Sequence, residues 1–267
     1  MKCPKRNKPT SDPRRRTILI TGAARRLGRA IAKALAERGH FVVLHYHASA
    51  GDAASLAEEI GAGGGACGTI QADLSERDGI ARLIPEAVGA FGPLHALVNN
   101  ASSYHFDRLA TLNHADWDSN LRTNLEAPAF LTQAFAAQSV GADGAIINIL
   151  DFKVANLNPD HLSYTIAKVG LAGFTRLAAM EFHGRIRVNA IAPGLTLRSG
   201  KQTEAQFERA WRMTPLGRGP TQEEIGDAAR FILDTPSLNG QILCLDGGAS
   251  LRPRDRDISV DPVALNG

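Results

Sequence analysis

Short apolar runs alternate along the chain with longer stretches in which apolar residues return every three or four positions. The first run, Thr17–Thr21 (TILIT), is followed directly by Gly22 and reads as a buried parallel strand. Leu27, Ala30, Ile31, Ala34 and Leu35 then recur at i, i+3, i+4, i+7 and i+8, which is one face of a helix. Gly39 ends that helix in a position glycine fills at little cost, and a second strand follows over Phe41–Tyr46. The alternation predicts further strands near 67–71 and over Ala96–Val98, Ala145–Leu150, Ile186–Ile191 and Gln241–Leu245. Between them it predicts helices near 52–60, 76–90, 162–182 and 222–233, and one long helix near 114–138. Residues 194–221 read as an irregular polar stretch.

Strand–helix alternation throughout implies an α/β fold: a single doubly wound, Rossmann-like parallel sheet with helices on both faces and right-handed crossovers. One Rossmann-type domain is expected over 17–250, between a disordered basic tail (1–16) and a C-terminal tail (251–267). Such sheets bind ligands at the carboxyl ends of their strands. That rule selects the residues just after Thr21, Tyr46, Ala72, Val98, Leu150 and Ile191.

Composition narrows the class. The 267 residues are 44% hydrophobic and 21% charged, ordinary for a soluble globular protein. No run of about 18 apolar residues predicts a membrane span, and the first 16 residues show no apolar core of a secretory signal. Cys3, Cys67 and Cys244 have neither metal nor redox spacing, so free thiols in a reducing, cytoplasmic compartment and no metal site are expected. The net charge of +3 conceals an asymmetry: residues 1–16 carry +6, leaving the remaining 251 at −3. The body has no long basic stripe, so neither nucleic acid nor a membrane is an expected partner.

The turn after the first strand reads Thr21-Gly22-Ala23-Ala24-Arg25-Arg26-Leu27-Gly28. Gly22 suits a tight turn, Gly28 lets helix and strand approach closely, and the free N–H groups at the helix start suit a pyrophosphate. Arg25, Arg26 and Arg29 crowd the positive end of a helix dipole, where each cation costs roughly 0.3–1 kcal/mol unless an anion offsets it. Sites selective for NAD place an acid about 20 residues further on. Here that position reads His45-Tyr46-His47-Ala48-Ser49, with no carboxylate before Asp52. A 2′-phosphate would meet no repulsion there, which favours NADPH.

Tyr164 and Lys168 stand at i and i+4 on the predicted 162–182 helix. A free tyrosine titrates near 10; a cation one turn away favours the phenolate, so Lys168 is expected to lower the Tyr164 pKa. With Thr21-Gly22…Gly28, Asn99-Asn100-Ala101-Ser102, Tyr164…Lys168 and Pro193-Gly194 in this order, the sequence resembles the short-chain dehydrogenase/reductases over residues 17–250. The resemblance implies seven strands and often a homotetramer. It also implies that Asn124 holds a water linked to the lysine. NADPH would lie along Gly22, Arg25, Arg26, Leu27 and Gly28, then His45, Tyr46, His47 and Ser49, then Asp73 and Leu74. Asn100, Ala101, Ser102, Tyr164, Lys168, Pro193, Gly194, Leu195 and Thr196 would complete the cofactor site.

Two departures narrow the resemblance. Arg26 replaces the middle glycine of the phosphate loop, and Asp151 replaces the serine usual 13 residues before the tyrosine. Together with Leu44-His45-Tyr46-His47 and Asn100-Ala101-Ser102-Ser103-Tyr104, they are similar to the pteridine reductases, and these in turn to the bacterial dihydromonapterin reductases, which can also reduce dihydrofolate. One mismatch is Ala48, where trypanosomatid members can carry an arginine. The resemblance implies Tyr164 as proton donor aided by Lys168, with Asp151 orienting it or relaying a proton. It also implies a pterin held between nicotinamide and Tyr104, with Arg26 and Ser102 nearby. The rivals are an NADPH-dependent reductase of ordinary ketones and a non-catalytic NADP(H) sensor. Retention of both Tyr164 and Lys168 argues against the sensor. Residues 195–215, with Phe207, Trp211 and Met213, are expected to form a substrate lid.

Overall fold

The computed structural model of the chain describes residues 15–138, 143–199 and 202–258. Seven parallel strands form one sheet in the order β3-β2-β1-β4-β5-β6-β7. They are β1 (Thr17–Ile20), β2 (Phe41–Tyr46), β3 (Ala66–Gln71), β4 (Ala96–Asn99), β5 (Gly144–Ile149), β6 (Ile186–Pro193) and β7 (Ile242–Leu245). The order reverses between β1 and β4, so a crevice opens there at the carboxyl edge of the sheet.

Successive side chains of a strand point to opposite faces, and the core divides accordingly. Ile18, Ile20, Val42 and Leu44 pack with Ile31, Leu35, Ile225 and Ile232, beneath α1 (Arg26–Glu37), α2 (Ala50–Ala62) and α8 (Gln222–Asp234). Leu19, Val43, Leu97 and Ile146 face the other way, against Leu83, Leu131 and Phe135. That layer contains α3 (Arg77–Phe91), α5 (Ala127–Ala137) and α6 (Leu162–Glu181).

Three expectations need correction. The long helix predicted near 114–138 is interrupted: α4 (His114–Leu121) passes through a π-type turn, Arg122–Glu126, into α5. Pro128 supplies the reason. It has no N–H, so the Asn124 carbonyl cannot receive the usual i+4 helical bond. The stretch 194–221 is not wholly irregular, because it contains α7 (Glu204–Arg212). Thr203 starts α7 with a reciprocal capping box to Gln206. Arg16 does not belong to a disordered tail: its guanidinium donates to the Leu233 carbonyl (2.8 Å) and pairs with Asp143 (2.9 Å). The remainder of the expected basic tail, residues 1–14, lies outside the described residues, as do 259–267. No helix among the described residues is long and apolar enough to cross a membrane.

Candidate active site

The β1–α1 turn is packed to its limit. A Cβ on Gly28 would lie 2.3 Å from the Gly22 carbonyl oxygen, so only glycine allows this approach. Arg26 adopts φ +53°, the left-handed region its glycine counterpart would enter freely. A non-glycine residue held there costs on the order of 1 kcal/mol or more. Among the described residues no side chain caps the N-terminus of α1, and its first turn has no acid, which suits an anion at its orphan N–H groups.

His45 supports this turn from below. The Gly22 N–H donates to its Nδ1 (3.0 Å), which leaves Nε2 as donor to the Ala72 carbonyl (3.1 Å). Burial lowers its pKa to about 4, so the ring is neutral. His45 therefore braces three strand ends and is almost wholly buried beneath the turn. Asn100 does similar work: its Nδ2 donates to the carbonyls of Thr21 (2.8 Å) and Gly22 (3.1 Å). The N–H groups of Asn100 and Ala101 both donate to Thr21 Oγ1 at 2.9 Å.

At the end of β2 the charges are already partnered. Arg25 meets Asp52 at 2.5 Å, Arg29 pairs with Glu59, and His47 lies 3.2 Å from Asp73. Arg25 and Asp52 are exposed, and such surface pairs are worth little, so a phosphate can replace Asp52 at little cost. Ser49 precedes α2 without spending its hydroxyl on a cap, and Leu74 is buried beside Asp73. Arg26 reaches the opposite wall, where its guanidinium donates to the Arg198 carbonyl (3.0 Å). On that wall the Gly194 N–H donates to the Leu245 carbonyl (2.8 Å) and Thr196 Oγ1 to the Gly194 carbonyl (2.9 Å). Pro193 ends β6 just before this turn, and Leu195 packs toward α7.

The centre of the crevice joins α6 to the end of β5. The Tyr164 hydroxyl donates to Asp151 Oδ2 at 2.9 Å, and the Lys153 N–H donates to Asp151 Oδ1 at 2.9 Å. Lys168 Nζ donates to the Ile149 carbonyl (2.8 Å) and lies 5.6 Å from the centre of the Tyr164 ring. Burial pushes the Tyr164 hydroxyl well above the ordinary tyrosine value, and the Asp151 carboxylate adds to the push. This reverses the expected direction: the hydroxyl's immediate neighbour is a carboxylate, and the ammonium sits over the ring. Burial also raises the Asp151 pKa, opposed by the Lys153 N–H and assisted by Asp257. It lowers that of Lys168 to about 8, with Asp151 partly offsetting.

Asn124, fully buried in the π-type turn, accepts from Ser102 Oγ (2.7 Å) and donates to the carbonyls of Ser103 (2.8 Å) and Asn120 (2.9 Å). Its side chain thus fixes the loop that follows β4. Tyr104 on that loop meets the Tyr164 ring edge-on, with centroids 4.7 Å apart. Its ring also stacks on His161 at 4.0 Å, yet Tyr104 stays 46% exposed.

Several groups here were missed in the sequence. His161 adopts φ +55° just before α6, and its buried Nε2 has no hydrogen-bond partner among the described residues. The buried carboxylate of Asp107 accepts from the Ser163 N–H (3.2 Å) and from the Ser163 hydroxyl. It thereby ties the Tyr104 loop to the helix carrying Tyr164. Lys153 and Asp257 form a buried ion pair at 2.8 Å. These all depend on contacts distant in sequence: Asp107 and Ser163 are 56 residues apart, and Lys153 and Asp257 are 104 apart.

The family model described as Enoyl-(Acyl carrier protein) reductase matches residues 22–250. The chain belongs to this family, within the short-chain dehydrogenase/reductases, and is an oxidoreductase by class. It is 33% identical to the 3-oxoacyl-[acyl-carrier-protein] reductase FabG of Staphylococcus aureus, over 87% of this chain and 97% of that one. It is also 33% identical to pteridine reductase 1 of Leishmania tarentolae, over 91% and 99%. The crystal structure of FolM alternative dihydrofolate reductase 1 from Brucella suis, in complex with NADP, superposes with a TM-score of 0.86 at 37% identity, covering 90% of this chain and 97% of that one.

Proposed function

We propose that the protein uses NADPH to reduce the C=N bond of a dihydropterin ring, in free dihydropterins or in dihydrofolate. The observation that carries this reading is the 2.9 Å bond between the Tyr164 hydroxyl and Asp151. An ionised carboxylate only accepts, so it cannot donate to a developing alkoxide as the usual serine does. It can hold and return a proton destined for a ring nitrogen.

The chain fits the cofactor on its own geometry. The uncapped α1 N-terminus suits the pyrophosphate. The absence of a carboxylate from His45 to Ser49, with Arg25 opposite, suits a 2′-phosphate. The NADP in the FolM complex supports this choice. When bound, NADPH supplies the hydride that adds to the ring carbon. Tyr164 gives its proton to the adjacent ring nitrogen, so C=N becomes CH–NH with charge balanced. Asp151 accepts from the hydroxyl as a carboxylate and, with its pKa raised by burial, then takes up a proton from solvent and passes it to the phenolate. Lys168 stabilises the transient negative charge. Tyr104, with one face on His161, offers its other face to a flat ring, and Arg26 stands where it can meet a ring carbonyl oxygen or the pyrophosphate. A homotetramer would cover the exposed apolar side chains Phe130, Leu177 and Met180 on α5 and α6.

The FabG similarity keeps one second reading in play, reduction of a ketone by the same tyrosine and lysine. Steady-state NADPH oxidation with dihydrobiopterin, dihydromonapterin and dihydrofolate, set against a panel of ketones including a 3-oxoacyl thioester, separates the two. Higher kcat/KM on the dihydropterins is expected; turnover of ketones alone would overturn the pterin reading.

A further inference from the structure

The chain beyond β7 adds nothing to the sheet, yet it returns to the catalytic half of the molecule. Lys153, two residues after Asp151, is 1% exposed. Its ammonium donates to Asn158 Oδ1 (3.0 Å), the Asp160 carbonyl (2.8 Å) and Asp257 Oδ2 (2.8 Å). Asp257 is itself buried, and its N–H donates to Asp160 Oδ2 (2.9 Å) beside Arg256 Nε (2.8 Å). Nearby, Asn156 Nδ2 donates to the Arg252 carbonyl (2.7 Å). The segment 252–257 is thus fastened to the 151–160 turn at Lys153, Asn156 and Asp160. It also reaches the opposite wall: buried Ile258 packs on Ala210 of α7, with Leu195 and Met213 against the pair.

A buried ion pair is an expensive way to gain stability, because desolvation consumes most of the attraction. Its placement suggests another use. The pair anchors Lys153, the Lys153 N–H holds Asp151 Oδ1, and Asp151 Oδ2 receives the Tyr164 hydroxyl. A continuous line of contacts therefore runs from the C-terminal segment to the phenol. We propose that this segment positions the active site, with Asp257 acting through Lys153 to hold the Asp151 carboxylate on the Tyr164 hydroxyl, and Ile258 steadying α7 beside the crevice. The role in turnover rests on Asp151 being the proton partner of Tyr164.

The groups that face Asp151 are Lys153 on its own turn, Tyr164 and Lys168 on α6, Cys244 on β7 and Asp257. Of these, Asp257 is a negative charge that favours the protonated carboxyl. Asp257→Asn removes that charge and releases Lys153, so Asp151 should titrate at lower pH. The test follows the 13C signal of the Asp151 carboxyl through a pH titration, assigned with Asp151→Asn, in the full chain and in Asp257→Asn. This readout needs no substrate, so it stands even if dihydropterins prove not to be turned over. In parallel, kcat is measured on whichever substrate the unmodified protein reduces. A fall of about 10- to 100-fold is expected, the scale for misplacing a reacting group by about 1 Å. NADPH affinity should be unchanged, and Asp257→Glu should restore part of the rate. If Asp257→Asn does not fold, Lys153→Met combined with Asp257→Leu leaves no buried charge unpaired and should show the same fall in kcat. An unmoved Asp151 titration with unchanged kcat in folded Asp257→Asn, or full kcat in the double variant, would overturn the proposal.

Discussion

The hydroxyl of Tyr164 donates its hydrogen bond to a carboxylate, Asp151, at 2.9 Å. Burial raises the proton affinity of both groups; the carboxylate raises that of the phenol further, while the hydrogen bond from the phenol lowers that of the carboxylate. A proton donor in a reduction benefits, since the phenol remains protonated at neutral pH. The matching difficulty is the phenolate left behind. Lys168 is the cation placed to stabilise it, and burial has brought that cation close to losing its charge.

The free-enzyme pH profile should show this. With Lys168 lowered to about 8, kcat/KM should fall as pH rises through that region, because the neutral amine no longer stabilises the phenolate. The kcat/KM profile reports groups of the free enzyme, and the apparent value belongs to the coupled set of Lys168, Tyr164 and Asp151. Lys168→Arg, which keeps its charge, should remove this limb even at reduced activity. A flat profile between pH 7 and 9 would contradict the assignment.

Arg26 presents a trade between stability and binding. It occupies φ +53°, where a side chain is strained. Arg26→Gly should leave stability unchanged or raise it by about 1 kcal/mol, the strain relieved less the entropy glycine loses on folding. The same variant should raise the KM for NADPH or pterin, because the contact to the Arg198 wall and the cation are both lost. Thermal unfolding and steady-state kinetics read the two effects separately; a destabilised variant with unaltered KM would make Arg26 purely structural.

Cofactor choice follows from the end of β2. With Asp52 engaged by Arg25 and no acid between His45 and Ser49, NADPH should bind at least about tenfold tighter than NADH, roughly 1.4 kcal/mol. Fluorescence titration with both nucleotides measures the ratio, and equal affinities would refute it.

Tyr104 stands edge-on to Tyr164 and half exposed. Tyr104→Ala should raise the pterin KM up to about tenfold, since a stacked ring pair is worth about 0.5–1.5 kcal/mol beyond burial. Unchanged KM and kcat would show that its contact with His161 is its whole role.

Much of this architecture was legible in the chain. The seven strands follow from short apolar runs ending at glycine or polar turns, and the register of Tyr164 with Lys168 follows from helical spacing. The missed elements share a physical cause. Helix α7 buries only Ala210, so its apolar period is faint and its capping box was the stronger signal. The π-type turn has a local cause in Pro128, four residues after Asn124. The direction of the Tyr164 shift could not be read from the Tyr–Lys spacing, because its main cause is burial, with the Asp151 carboxylate at the end of β5 adding to it. The pairing of Lys153 with Asp257 spans 104 residues, and neither residue carries a local mark of burial.

The central claim is that Asp151 makes this a site for protonating ring nitrogen rather than a carbonyl oxygen. Asp151→Ser tests it most directly, because it restores the hydroxyl suited to a growing alkoxide at the same position. On folded protein that still binds NADPH, steady-state oxidation should show dihydropterin reduction falling by roughly 100-fold, the scale for losing an acid–base group. Activity on simple ketones should hold or rise. Full dihydropterin activity in Asp151→Ser would contradict the account.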